Sequence, residues 1–103
     1  IKVYVNKVID FFKRQKIESL YVSIDVDVLD SSNAPATGYP IPGGLSYREL
    51  WQILRNLTQN FQVIGFDLVE VAPNLDHNNI TSNLAAKIII EFISFISDTL
   101  EDN

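Results

Sequence analysis

The 103-residue sequence has no cysteine, no methionine and one histidine. Without cysteine there is no disulfide scaffold and no thiolate metal site. With a single histidine, a metal shell built from several imidazoles cannot come from this sequence alone. Positive charge is also scarce. Eight Lys and Arg stand against thirteen Asp and Glu, for a net charge of −5. No basic cluster offsets that deficit, which disfavours nucleic acid as a partner. No uninterrupted apolar run approaches the ~20 residues of a membrane-crossing helix, so no membrane partner is expected. The N-terminus has no signal-peptide pattern. The lack of cysteine is compatible with a cytosolic enzyme, and a cytoplasmic location is the expectation.

What is present suits a folded domain: 47% hydrophobic, 11% aromatic and 20% charged residues. That is enough for the core of one small domain. The chain opens on Ile1, without Met and inside an amphipathic pattern. This suggests part of something longer.

Val5, Val8, Ile9 and Phe12 recur at helical spacing and predict a helix over 2–15. Leu20 to Asp25 is short and rich in β-branched and aromatic residues, and predicts a strand over 20–25. Residues 26–45 are crowded with Asp, Ser, Asn, Pro and Gly and form a long loop, of the kind that usually carries function. Ser46 and Glu49 form a capping box, followed by Leu50, Ile53, Leu54 and Leu57 at helical spacing, which predicts a helix over 46–59. Residues 61–69 contain the apolar run Val63-Ile64-Gly65-Phe66, as expected of a buried parallel strand. A last helix is predicted over 81–98. A strand, a helix and a strand in succession make a parallel βαβ unit. Two strands cannot bury two helical layers, so the chain reads as part of a larger α/β/α sheet.

Ligands of open α/β folds bind beyond the carboxyl ends of the strands. Asp25 and Asp27 end the first strand, and Glu70 follows the second. Three carboxylates converging without Lys or Arg call for a cation, and an all-oxygen set points to Mg²⁺ or Mn²⁺. Simpler readings hold for other residues. Glu49 is a cap, His77 a loop residue, and Trp51 and Phe92 are core residues. Asp67 is either a buried, hydrogen-bonded strand carboxylate or an accessory to the site. Asp25-Val26-Asp27-Val28 also loosely fits the nucleophile element of haloacid-dehalogenase-type phosphatases. The Lys those enzymes need at a strand end is missing, since Lys87 falls inside the last helix.

Longer strings narrow the choice. Ser23-Ile24-Asp25-Val26-Asp27-Val28-Leu29-Asp30, Ala34-Pro35-Ala36-Thr37-Gly38 and Pro42-Gly43-Gly44-Leu45-Ser46 resemble the ureohydrolase family of arginases and agmatinases. So do Gly65-Phe66-Asp67-Leu68-Val69-Glu70-Val71-Ala72-Pro73, Asp76-His77 and Ile80-Thr81. The loop and the Asp76–Thr81 segment look closer to agmatinases. The resemblance implies the C-terminal portion of a three-layer α/β/α protein with two Mn²⁺ ions per complete site. It implies Asp25 as a bridging ligand, Asp27 as a ligand to one ion, and Glu70 as the group holding a guanidino substrate. It also implies that the other ligands lie in segments this chain lacks, so that the chain alone is inactive. A homo-oligomer, or a missing N-terminal portion, is the expected partner. A non-catalytic structural or interaction module is the alternative. Ser31 departs from the family, which commonly has proline there; the expected effect is on loop stiffness rather than on ligation.

Overall fold

The computed structural model describes residues 1–101, so the last two residues of the expected 1–103 domain lie outside the described part. Helix α1 spans Lys2–Arg14, strand β1 Ser19–Asp25, helix α2 Tyr47–Asn60, strand β2 Gln62–Val69 and helix α3 Ile80–Glu101. Short 3₁₀ turns at Val26–Val28 and Pro73–Leu75 follow the two strands.

Each helix starts or stops for a local reason. The Ser46 hydroxyl accepts the Glu49 N–H at 3.1 Å, and the Glu49 carboxylate accepts the Ser46 N–H at 3.0 Å. This capping box leaves Ser46 just outside α2. At the start of α3, the Asp76 carboxylate accepts from the Thr81 N–H at 3.0 Å, the Ser82 N–H at 2.7 Å and the Ser82 hydroxyl at 2.7 Å. These bonds satisfy N–H groups that the first turn cannot. Asn78 and Asn79, both with left-handed φ, turn the chain back toward that cap.

The sheet is two parallel strands joined by α2. Val22, Ile24, Phe66 and Leu68 face a core built with Leu50, Leu54, Ile88, Phe92 and Phe95. Phe92 is fully buried at its centre, with its ring 4.8 Å from that of Phe66. Trp51 meets Phe95 edge-on at 5.1 Å, a favoured aromatic geometry. Helix α1 lies beside α2, where Phe12 packs edge-on against Phe61. The helices therefore cover one face of the sheet. On the opposite face Tyr21 is 60% exposed. Parallel sheets are normally covered on both faces, and the third layer of the expected α/β/α arrangement is not among the described residues.

Averaged over its length, helix α3 is more apolar than its interrupted runs suggest. Ile80–Leu100 is long and apolar enough, by length and composition, to cross a membrane. Lys87, Glu91 and Asp98 break up every uninterrupted run, which hid the average character of the segment. In this fold Thr81, Ala85, Ile88, Phe92 and Phe95 form its packed face, while Ile90, Ile93 and Leu100 are exposed.

Candidate metal and guanidinium site

The carboxyl ends of both strands lie on one side, as parallel pairing requires. Asp25 pairs in register with Val69, and Glu70 follows directly. Asp25 caps the 3₁₀ turn after β1, its Oδ1 accepting the Asp27 N–H at 3.0 Å. That turn swings the Asp27 side chain back to the Asp25 carboxyl. Hydrogen bonding with the Asp25 side chain is the main influence that raises the Asp27 pKa above its ordinary value. Desolvation and the charges of Asp25 and Glu70 push it in the same direction. Glu70 is thus within electrostatic reach of the pair. The ion pairs Arg55–Asp98 and Lys87–Glu91 lie elsewhere, on α2 and α3.

Glu70 has φ 71°, a left-handed conformation rare for a side chain of its size. Such a residue costs on the order of 1 kcal/mol and is found most often at functional sites. The strain turns the chain sharply out of β2, so that Val71 bridges to Thr37 of the long loop.

That loop is held by its own polar groups. The Asp30 carboxylate accepts from the Ser32 N–H at 2.9 Å, the Ser32 hydroxyl and the Gly43 N–H at 2.6 Å. These bonds, Ser32 foremost, lower its pKa to about 2. Asp30 N–H donates to Leu45 O at 2.8 Å, and Leu45 N–H to Val28 O at 2.9 Å. Gly44 fits because a Cβ there would lie 2.7 Å from the Asp30 nitrogen. Ser31 N–H donates to Ile41 O at 3.2 Å, a bond that proline could not make. The buried Thr81 hydroxyl accepts the Ala36 N–H at 3.0 Å, which ties the loop to α3. The Thr37 hydroxyl, 2% exposed by residue, has no hydrogen-bond partner among the described residues.

The structure therefore brings Asp25 and Asp27 together and sets Glu70 beside them. It does not form the three-carboxylate cluster expected from strand ends alone: among the described residues no group of three His, Asp or Glu side chains could hold a metal ion. The Glu70 side chain is exposed beyond the end of β2. The donor chemistry of Asp25 and Asp27 still fits a hard divalent cation. They are neighbouring carboxylate oxygen donors, the ligand type that hard divalent cations take. His77 is exposed in the turn before α3, where its carbonyl accepts the Ile80 N–H at 3.3 Å. Lys87 pairs with Glu91 at 3.9 Å and lies 5.4 Å from the Tyr47 ring centroid, on the core helices rather than at the strand ends where a phosphatase lysine would be needed. Asp67 is bonded to Tyr21 and Ser23 on the open sheet face.

The fold and site define an α/β protein with an oxygen-donor site at the carboxyl ends of parallel strands. More narrowly, the chain belongs to the Arginase family, whose model matches residues 1–94. Arginase of Staphylococcus aureus strain MRSA252 is 38% identical over 92 residues, covering 89% of this chain and 30% of that relative. Agmatinase of Chromobacterium violaceum is 45% identical over 74 residues, covering 72% and 23%. The crystal structure of agmatine ureohydrolase of Thermoplasma volcanium superposes with a TM-score of 0.79 at 34% identity, covering 96% of this chain and 32% of that one. The chain spans about a third or less of the length of these relatives.

Proposed function

We propose that the chain is the C-terminal part of a binuclear manganese ureohydrolase that hydrolyses a guanidino compound, with agmatine the favoured substrate, to urea and an amine. The observation that carries this reading is the facing pair Asp25 and Asp27 at the end of β1, with Glu70 turned out of β2 beside it. Family membership and the agmatinase relatives support it.

In this reading Asp25 and Asp27 would hold the metal centre, Asp25 as a ligand common to both ions and Asp27 as a ligand to one. Manganese held there would supply Lewis acidity and activate water as a nucleophile near neutral pH. Glu70 accepts paired hydrogen bonds from the planar guanidinium and orients its carbon toward the aspartates. The remaining ligands come from polypeptide outside these 103 residues.

The test is urea release from agmatine with added Mn²⁺. The chain alone is expected to be inactive, and robust turnover by it would overturn the claim that ligands are supplied from elsewhere. Joined behind the missing N-terminal part of an agmatinase relative, the chain is expected to restore turnover, and Asp25→Asn to abolish it. A folded, Mn²⁺-loaded chimera that releases no urea from any guanidino compound would overturn the assignment.

A further inference from the structure

Strands β1 and β2 do not pair evenly. Leu20 pairs with Val63, but Tyr21 pairs with Gly65, so Ile64 is skipped. A one-residue slip inverts which side chains share a face, and bulges of this kind re-aim side chains beside active sites. Here the slip sets Asp67 opposite Ser23 and Val69 opposite Asp25. Gly65 supplies the room the arrangement needs. A Cβ there would lie 3.0 Å from the Tyr21 ring, so the ring lies across the bare backbone. From that position the Tyr21 hydroxyl donates to Asp67 Oδ2 at 2.9 Å. The Ser23 hydroxyl donates to Asp67 Oδ1 at 2.6 Å. Asp67 thereby spends both carboxylate oxygens on β1, just before the strand ends that carry Asp25 and Glu70.

We infer that Asp67 is a positioning residue, a clasp that holds the end of β2 to the end of β1 and so sets Glu70 against Asp25 and Asp27. The inference rests on the proposed roles of those three residues, but the clasp can be judged without them. Nothing else on this sheet face ties the two strands by side chains among the described residues. The hydrogen bond to Asp67 also holds the Tyr21 phenol above its ordinary pKa, which gives the clasp a spectroscopic signature.

The experiment compares the chain with Asp67→Ala, Asp67→Asn and Tyr21→Phe. Amide hydrogen exchange is read at the last register pairs, Ile24 with Leu68 and Asp25 with Val69, and at the first, Leu20 with Val63. Asp67→Ala is expected to speed exchange at the last pairs by about tenfold or more, the weight of a lost hydrogen bond, and to spare the first pair. Tyr21→Phe, which removes one hydroxyl and leaves the ring, is expected to give a smaller effect of the same pattern. Asp67→Asn keeps an acceptor oxygen and is expected to rescue part of the protection. In Asp67→Ala the Tyr21 phenol, followed by carbon NMR, falls back toward its ordinary pKa. Mn²⁺ affinity, read by water-proton relaxation, is expected to fall in the same order. Unchanged exchange at the strand ends in Asp67→Ala, or an equal rise at all pairs, overturns the clasp. If the chimera with the N-terminal part of an agmatinase relative takes up no Mn²⁺ while the exchange pattern holds, the metal reading falls and the clasp stands.

Discussion

Asp30 shows how much one side chain can organise. Its three acceptor contacts close the turn between β1 and the start of α2. Because hydrogen bonding lowers its pKa to about 2 from an ordinary 3.8, its contribution has a defined pH window. An acid whose folded pKa is depressed stabilises fully above its unfolded pKa and loses that effect as pH falls through the folded value. The Gly43 amide should therefore stay protected from exchange above the ordinary carboxylate range and lose protection as pH falls toward 2. Asp30→Asn should show weakened protection at neutral pH with little further loss on acidification. A flat Gly43 profile across that window in the unsubstituted chain would contradict this role. None of it was legible in the sequence. Asp30 reads there as one more polar residue of a Gly- and Pro-rich stretch, and its acceptors' partner, Gly43, is thirteen residues away. Asp25 and Asp27 were legible because an apolar strand ends on them and the surrounding string is long. Glu70 was placed by the same logic, but its left-handed φ was not, since no pattern of side chains announces a strained backbone.

The elements themselves follow from spacing and caps. The capping box at Ser46 and Glu49 could be read directly, because both partners lie within one turn. The cap of α3 could not. Asp76 reaches Thr81 and Ser82 across two left-handed asparagines, so the helix begins at Ile80 and not at the expected 81. The register slip at Ile64 was also hidden, because Val63, Ile64 and Phe66 are all apolar and carry no alternation to fix a phase. Thr81 links two elements at once. It is fully buried, and its hydroxyl is the acceptor for the Ala36 N–H. Thr81→Val keeps the shape and strands that N–H, which should cost about 1–3 kcal/mol. Ser46→Ala, which removes a helix cap at the edge of the core, should cost about 1 kcal/mol. Urea unfolding of both variants checks the ranking, and a Thr81→Val midpoint no lower than that of Ser46→Ala would contradict it.

At the scale of the whole molecule, the covered and uncovered faces differ sharply. One face of the sheet carries all three helices. The other, among the described residues, carries no helix and holds the Tyr21, Ser23 and Asp67 clasp. Both strand edges are free, and each is flanked by apolar surface. Along β1 a groove of about 460 Å³ runs between α1 and α2, lined by Val5, Val8, Leu20, Ile53 and Leu57. Along β2 a groove of about 280 Å³ is lined by Ile64, Ile93, Ile96 and Leu100. Ile64 itself is 69% exposed. Unpaired edges beside apolar grooves favour pairing with another strand, and exposed apolar area adds about 25 cal/mol for each Å² removed from water. The isolated chain should therefore self-associate. Sedimentation equilibrium should show a mass above that of the 11.7 kDa monomer, falling toward it on dilution. Ile64→Lys, which puts a charge in the apolar groove along β2, should weaken the association. A monomer across the whole concentration range, or an Ile64→Lys variant that associates as strongly as the parent, would show that these edges are not what drives it.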